Sequence, residues 1–259
     1  MATIEALLNR RTDLSTFVVH LTRDSENGVS ARDNLLSMLE EGTIHGRTAQ
    51  GPARHLENCL LDSGFTQKVV CLTETPLEHL WMMLEDIDGR QIKFQPYGLA
   101  TTKTSARYAG ANPVWYSDIT KGRDWPLKQL GDLVAQAVER STIAGELDVD
   151  RLVDEPIMKI APYFETMGPT SQPGLRKEFW WEREWRKIGD YHLEHPKRWV
   201  AILAPETDHV NLRAEIRTRN IQAEWADRPL LDPSWGLERM IASLARVDDK
   251  YLGPFTSNP

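Results

Sequence analysis

The chain has 259 residues, of which 41% are hydrophobic and 27% charged, a balance typical of a globular protein with a sizeable core. No run approaches the roughly 18 apolar residues of a spanning helix, and the N-terminal stretch lacks the apolar segment of a signal peptide. The net charge of −7 disfavours a generally basic, nucleic-acid-coating protein. Cys59 and Cys71 form neither a disulfide framework nor a CxxC metal pair. We therefore expect a cytoplasmic protein without a membrane segment.

The first part of the chain has the periodicity of three regular elements. The apolar pattern predicts a strand over residues 15–23, a helix over 30–41 that Gly42 ends, and a buried strand over 68–73. Residues 46–63 are polar and contain two glycines and a proline, which predicts a long, partly helical connection.

A helix start signal follows the second strand. Thr75, Pro76 and Glu78 have the spacing of a capping box with proline at the first helical position. We expect a helix here that stops near Gly89 and turns four apolar residues inward: Leu77, Leu80, Trp81 and Leu84.

The rest of the chain alternates between strand-like and helix-like patterns. The predicted elements are strands over 98–103, 113–119, 178–188 and 198–203, and helices over 127–143, 149–167 and 234–247. Pro156 and Pro162 interrupt the second of these helices. The last helix is expected to bury Leu237, Met240, Ile241 and Leu244.

This order of elements predicts a single α+β domain over residues 1–259, because no regular βαβ rhythm is present. We expect its core at about 15–205 and a helical C-terminal extension at about 206–259. The sequence contains neither a G-x-G-x-x-G motif after a strand nor a G-x-x-x-x-G-K-[ST] motif, so nucleotide binding of the Rossmann or P-loop type has no support.

The first strand ends in polar residues with two interpretations. Period-2 alternation places His20 and Thr22 on one face, where an imidazole and a hydroxyl can grip a ligand's amide or sugar. The structural alternative is that both side chains bond neighbouring backbone at the strand end.

Residues 178–186 concentrate carboxylates, tryptophans and arginines. In a strand, one face would carry Glu178, Trp180, Glu182, Glu184 and Arg186. A carboxylate between tryptophans loses hydration, which makes its charged form costly unless an arginine pairs with it, and Arg183 and Arg186 are available. A solvated strand with cross-strand ion pairs is the structural alternative.

Two further positions have both a functional and a structural interpretation. Glu74 can face a pocket at the carboxyl end of its strand, or it can favour the N-terminus of the following helix. Tyr97 offers a flat face for a ligand ring, or it packs on the core.

Metal and hydrolase chemistry have little support. His192 and His195, like His55 and Cys59, have helical spacing but lack further ligands, so no metal is expected. A serine hydrolase has no G-x-S-x-G elbow.

Five segments in this order resemble the abortive-infection AbiGi family of phage-resistance proteins. They are FVVHLTR from residue 17, LLSMLEEGTI from 35, VVCLTETPLEHL from 69, YGLATTK from 97 with PVWY from 113, and EREWR from 182. The resemblance implies a role in antiviral defence, beside a partner protein encoded in the same two-gene toxin–antitoxin operon.

A more distant similarity concerns the opening of the chain. The strand with His20-x-Thr22, followed by the helix that starts at Asn34 and ends at Gly42, is similar to the opening of DarT-type ADP-ribosyltransferases. Glu184, followed by HPKRWVAILAP, occupies the place of their catalytic strand pair. This similarity implies a split β-sandwich with flanking helices that binds NAD as a substrate, without a metal, in the cleft between its sheets.

The similarity also implies roles for individual residues. Glu184 would be the catalytic carboxylate, which stabilises positive charge on the ribose as nicotinamide leaves. His20 and Thr22 would contact nicotinamide and its ribose, and Tyr97 would stack on the nicotinamide ring.

Cations are expected around the pyrophosphate and the acceptor. Arg23 or Arg54 would bind the pyrophosphate, although Arg47 competes with Arg54 for the position of the family's loop arginine. The candidate substrate-binding residues are Glu74, Lys103 and Arg186. Because Arg186 and Lys187 stand where DarT-type chains have apolar residues, a degenerate, ligand-binding relative is an alternative to an active enzyme.

Two other classes of function remain open. In a non-enzymatic antitoxin or sensor, the tryptophan-rich surface of Trp180, Trp181 and Trp185 would contact the partner protein. In a nucleic-acid-processing enzyme, or with a nucleic-acid acceptor, a backbone-binding groove would be lined by Lys103, Arg107, Arg183, Arg186 and Lys187.

Overall fold

The computed structural model describes residues 14–86, 92–170, 176–247 and 251, which form a mixed α and β fold. Within these ranges the main sheet has eight strands. In spatial order they are β15 (Leu230–Leu231), β14 (Trp199–Leu203), β5 (Gly98–Thr102), β1 (Phe17–Leu21), β4 (Lys68–Thr73), β12 (Glu184–Ile188) and β6 (Asn112–Pro113), with β3 (Thr48–Ala49) paired to β4. Neighbours are antiparallel except β14 and β15.

Smaller elements surround this sheet. The other strands are β2 (Thr43–Ile44), β7 (Trp115–Asp118), β8 (Thr142–Ile143), β9 (Glu146–Leu147), β10 (Phe164–Pro169), β11 (Arg176–Lys177) and β13 (Tyr191–His192). The α-helices are α1 (Ala31–Glu41), α2 (Trp81–Leu84), α3 (Lys103–Tyr108), α4 (Trp125–Arg140), α5 (Val149–Asp154), α6 (Pro156–Ile160), α7 (His209–Thr218) and α8 (Leu237–Leu244). None of the described helices has the length and apolarity that crossing a membrane requires.

The main sheet is nearly divided at its middle. β1 pairs with β5 along its whole length, but it meets β4 at one residue pair, Val19 with Thr73. Beyond that pair, β3 takes the place beside β4. The backbone carbonyl of Cys71 lies in the gap and is bonded by the imidazole Nδ1 of His20 at 2.8 Å.

Strand alternation gives the main sheet two faces, each covered by its own apolar cluster. The first face, with Val18, Leu72, Leu99, Trp185 and Ile202, packs against α1, α3 and α7. The second face, with Val19, Ala100 and Ala201, packs against Met83 of α2 and Met240 of α8 on one side of the division. A third cluster joins α4, α5, α6 and a 3₁₀ helix, Arg54–Cys59.

Local signals explain the elements that were predicted correctly. The side chain of Ser30 accepts a hydrogen bond from the Asp33 N–H and caps α1, and Gly42 ends that helix with a φ of 65°. The strands predicted over 15–23, 68–73, 98–103 and 198–203 are β1, β4, β5 and β14. The helix predicted over 127–143 is α4, which begins and ends slightly earlier.

The predicted capping box after β4 is wrong. The Thr75 hydroxyl lies 2.8 Å from the Thr73 hydroxyl, and a 3₁₀ helix, Leu77–His79, follows Pro76 without a side-chain cap. The short α2 then buries Met83, whereas Trp81 is 47% exposed. The predicted stop near Gly89 lies outside the described residues.

Two predicted elements change type before they end. The helix predicted over 149–167 stops at Ile160, and after a 3₁₀ turn the chain continues as β10, parallel to β7. The strand predicted over 178–188 begins as a 3₁₀ helix, Phe179–Glu182. Because only Glu184 and Arg186 lie in β12, the predicted five-residue face reduces to those two.

The C-terminal part is more than a helical extension. β15 pairs with β14 in the main sheet, and Trp225 lies fully buried in the cluster on the first face. The final helix, α8, buries Met240 and Ala242 while Leu237 and Ile241 are exposed, so the predicted inward face is rotated.

Candidate functional site

The first residue of β12, Glu184, lies on the second face of the sheet. The ladder pairs Glu184 with Thr73, and Thr73 with Val19, so these three residues line up across β12, β4 and β1. The chain around β7 also holds the Glu184 backbone. The Glu184 N–H donates to the Tyr116 hydroxyl at 3.2 Å, and the Glu184 carbonyl accepts from the Val114 N–H at 2.8 Å. The position of this carboxylate is therefore set by three neighbouring segments.

The Glu184 carboxylate is held by the buried guanidinium of Arg186, two residues along the same face. Arg186 Nε and Nη2 each lie 2.9 Å from a different Glu184 oxygen, a two-point grip that fixes the plane of the carboxylate. The Arg186 side chain is 2% exposed, and the Glu184 side chain is 18% exposed. Glu184 thus has a rigidly held carboxylate and a side chain that is not fully buried.

Arg186 has further acceptors on β10 and the turn before it. Its Nη1 bonds the carbonyls of Pro162 and Phe164, and its Nη2 lies 2.5 Å from Glu165. Lys177 contacts the other Glu165 oxygen at 2.8 Å. We call Arg186, Glu184, Glu165 and Lys177 the Arg186 network; its two cations balance its two carboxylates.

The charges of the network shift the pKa of Glu165, one of its members, and of the adjacent Cys71. Burial alone would raise the pKa of Glu165, but the charges and hydrogen bonds of Arg186 and Lys177 lower it to about 2. Burial raises the pKa of the Cys71 thiol well above its usual value, and the Glu184 charge adds to this effect. Cys71 therefore stays a thiol and is not an activated nucleophile.

A second group of charges lies at the same end of β4. Glu74 accepts from the Trp185 indole N–H at 2.8 Å and pairs with Lys103 at 2.6 Å, and Arg183 lies 3.6 Å away. We call Glu74, Lys103, Arg183 and Trp185 the edge cluster. Glu74 is buried, whereas Lys103 and Arg183 are partly exposed, so this edge presents cations to solvent.

The turn that precedes β12 ties the two groups together. Arg183 has a φ of 47°, its carbonyl accepts from Glu74 N–H at 3.2 Å, and the Thr73 hydroxyl donates to the Glu182 carbonyl at 2.6 Å. A non-glycine residue in this left-handed conformation is uncommon and is often found where a side chain must be aimed. The turn therefore fixes the chain next to Glu184.

His20 does not meet Glu184. His20 pairs with Leu99, a residue of the first face, whereas Glu184 belongs to the second face. Burial lowers the pKa of His20, the Cys71 hydrogen bond opposes this, and the charge of Arg47 adds to the lowering. The imidazole thus caps a backbone carbonyl at the division of the sheet, which is the structural alternative that the sequence left open.

The other residues predicted to bind NAD either bond within the fold or lie at the surface. The buried Thr22 hydroxyl bonds the Ala31 carbonyl at 2.9 Å and lies 3.1 Å from the Tyr97 carbonyl. Tyr97 packs on the first-face cluster, and its hydroxyl lies 3.3 Å from Asp208. Arg23 is exposed beyond the far end of β1, and Arg54 is exposed at the start of its 3₁₀ helix.

Two interface predictions need correction. Arg186 is buried with all five N–H groups directed at acceptors, so it holds Glu184 and contacts neither a substrate at the surface nor a nucleic-acid backbone. Among the predicted tryptophans, Trp185 is buried and Trp181 packs on the second-face cluster. Trp180 alone of the three is largely exposed, at 56%.

Sequence reasoning missed the residues that surround Glu184 from outside its strand. Glu165 and Lys177 come from β10 and β11, and Tyr116 comes from β7. Pro162 was the available signal, because it ends a helix and allows a strand to start at Phe164. The pairing of that strand with β7 is tertiary and has no local signature.

Metal coordination is not indicated by the described ranges, in which no group of three or more His, Cys, Asp or Glu side chains is placed to hold an ion. Comparisons with protein-family models, with curated proteins and with solved structures found no match. The function is therefore inferred from the geometry around Glu184 and from the resemblances in sequence.

Proposed function

We propose that the chain is an NAD-dependent ADP-ribosyltransferase-like enzyme of anti-phage defence, with Glu184 as its catalytic carboxylate. The observation that carries this proposal is the two-point grip of Arg186 on the carboxylate of Glu184, whose side chain is still 18% exposed. A structural ion pair in the interior needs no exposed side. A catalytic carboxylate needs one side for substrate and a fixed orientation on the other.

The chemistry suits a preoriented carboxylate. The bond between the nicotinamide nitrogen and ribose C1′ breaks, nicotinamide leaves with the bonding electrons, and positive charge develops on the ribose. Glu184 stabilises that charge without reorganising, because Arg186 and the backbone contacts of β12 already fix it. An acceptor nucleophile then forms the new bond to C1′ and loses its proton.

The residues near Glu184 match part of a dinucleotide. Lys103 and Arg183, the cations of the edge cluster, are partly exposed and suit a pyrophosphate. They take the place of Arg23 and Arg54 in the proposal, because they lie beside Glu74 at the end of β4 where Glu184 pairs with Thr73. In this proposal, unlike in the roles that the sequence similarity implies, His20, Thr22 and Tyr97 support the fold and do not contact nicotinamide.

The test is release of nicotinamide from NAD by the purified protein, with lysate nucleic acid and protein supplied as acceptors. We expect release by the wild type and a decrease of about 10²–10³-fold for Glu184→Gln, which removes the charge but keeps the shape. Glu178→Gln is the control, because Glu178 forms an exposed pair with Arg176. Absence of release by the wild type, or equal release by Glu184→Gln, contradicts the proposal.

The role in defence has its own test. Cells that express the wild-type gene with its operon neighbour should form fewer phage plaques than cells that express Glu184→Gln. Equal plaque numbers for the two strains, with equal protein levels, contradict a defence role that depends on Glu184.

A non-enzymatic antitoxin or sensor is the second candidate, and the exposure of Trp180 favours it. Trp and Arg side chains dominate binding energy at protein interfaces. In that case Trp180→Ser abolishes co-purification with the operon neighbour, whereas Glu184→Gln retains it. If Trp180→Ser keeps the complex and Glu184→Gln loses activity, the enzyme proposal stands alone.

A further inference from the structure

A basic surface lies beside β14 and β15 of the main sheet, although the whole chain has a net charge of −7. Two clefts of about 620 Å³ and 660 Å³ adjoin there, with Arg228, Pro229 and Arg246 lining both. The cations lining them, which we call the basic surface, are Lys197, Arg198, Arg213, Arg217, Arg228 and Arg246. Asp227 is the one acid among the described lining residues.

These six cations differ from several other arginines of the fold. Arg32, Arg140, Arg219 and Arg239 each contact a carboxylate. In the described ranges, no side chain of the basic surface has a carboxylate oxygen within 4.0 Å. Their charges are therefore not neutralised by the described part of the chain.

The basic surface is held in a fixed arrangement. Arg213 donates to the carbonyls of Ala226 and Arg228, which anchors its guanidinium to backbone. Burial lowers the pKa of Arg213, the charges of Arg217 and Arg246 lower it further, and the charge of Asp227 opposes this. Arg228 Nε is a buried N–H without an acceptor among the described residues. Crowded, anchored cations of this kind are stabilised by an anion.

We propose that the basic surface binds the phosphate backbone of a nucleic acid. A single phosphate would occupy one cleft, whereas two adjoining clefts with six cations suit a chain of regularly spaced phosphates. Arginine forks match phosphate oxygens in pairs, and five of the six cations are arginines. None of these residues belonged to the groove predicted from sequence.

The basic surface adjoins the edge cluster near Lys103. Thr102 and Ser105 line the first cleft, and Lys103 between them belongs to the edge cluster. Arg198 precedes Trp199, whose strand pairs with Thr101. The first cleft therefore adjoins the edge cluster, and binding of a backbone there does not depend on any reaction at Glu184.

The test uses a fluorescent 20-nucleotide single strand and the matching duplex, without NAD, in anisotropy titrations over a range of salt. We expect Arg198→Gln with Arg228→Gln to weaken binding of the preferred probe about tenfold and to lower the salt slope by about two. The control carries the same change of charge at two exposed positions outside the clefts, Lys121→Gln with Arg151→Gln. It should bind like the wild type.

Arg246→Gly is a second variant, which keeps the test valid if the double variant fails to fold. Arg246 has a φ of 58°, a conformation that glycine adopts readily, so this change removes the charge without straining the fold. We expect about threefold weaker binding. Equal weakening by the control pair overturns the proposal, as does absence of binding to both probes by the wild type. Binding to phosphatidylserine vesicles in place of both probes also overturns it.

Discussion

The Arg186 network and the basic surface differ in how their arginines are buried and paired. Arg186 is 2% exposed, and each of its N–H groups has an acceptor, including two carboxylates. Arg198 and Arg217 are exposed and contact no carboxylate in the described ranges. In the Arg186 network the cations are paired with carboxylates of the same chain. In the basic surface the cations have no carboxylate partner among the described residues.

The difference shows where each charge acts. A buried guanidinium without partners would be destabilising, so the Arg186 network must assemble as the chain folds, and it fixes Glu184 as a result. Exposed arginines stay hydrated without partners and contribute little to stability. Mutations in the first region should therefore change stability, and mutations in the second should change binding.

The largest effect is expected at Arg186. Arg186→Leu leaves Glu184 and Glu165 close together without a cation between them, so the free energy of unfolding should fall by about 3–5 kcal/mol. Urea denaturation measures this. Arg176→Gln, which removes an exposed pair with Glu178, should cost less than about 1 kcal/mol. A loss for Arg186→Leu as small as that of the control contradicts a structural network.

The next effect is acid sensitivity from Glu165. Its folded-state pKa of about 2 lies below the unfolded value of 4.5, so the carboxylate stabilises the fold fully above pH 4.5. That stabilisation, about 3 kcal/mol, should disappear as the pH falls from 4.5 towards 2. Glu165→Gln should flatten this part of the stability–pH curve, whereas Glu178→Gln, in an exposed pair with Arg176, should not. Identical curves for the wild type and Glu165→Gln contradict the assignment.

A smaller effect distinguishes His20 from the Arg186 network. His20→Phe removes the hydrogen bond to the Cys71 carbonyl, so unfolding should become easier by about 1–2 kcal/mol. Because His20 belongs to the other face of the sheet, nicotinamide release by the folded fraction should not change. Thermal denaturation and the release assay check the two parts. A hundredfold loss of release with an intact fold would restore His20 as a substrate contact.

The smallest effect has the opposite sign. Arg246 follows α8 in the left-handed conformation, where the Val247 N–H bonds the Ala242 carbonyl at 2.9 Å. Glycine suits this position better, so Arg246→Gly should raise the free energy of unfolding by about 1 kcal/mol. A lower melting temperature for this variant means that Arg246 has a structural role, and it weakens the contrast between the two regions.

The sequence predicted the fold best where a segment carries its own signal. β1, β4 and α1 combine apolar periodicity with a clear start or stop, such as Ser30 and Gly42 around α1. β10 was missed because its strand state depends on pairing with β7, and β15 because two residues carry no periodicity. Such short or partner-dependent elements are decided by tertiary contacts.

The site was predictable only in part for the same reason. Alternation correctly placed Glu184 and Arg186 on one face, but Glu165 reaches them from a segment that had been predicted as helix. His20 and Glu184 belong to opposite faces because adjacent residues of a strand point to opposite sides, and the ladder pairs Val19 with Thr73 and Thr73 with Glu184. Residues of the basic surface come from four separate segments, which no local pattern connects.

The most direct measurement compares Glu184→Gln with Glu165→Gln in the nicotinamide-release assay, at equal folded fraction. Both variants remove one carboxylate from Arg186, so both disturb the same network. If Glu184 is the catalytic carboxylate, its variant should lose about 10²–10³-fold in rate, while Glu165→Gln should lose less than about tenfold. Equal rates for the two variants would show that the network matters only for the fold.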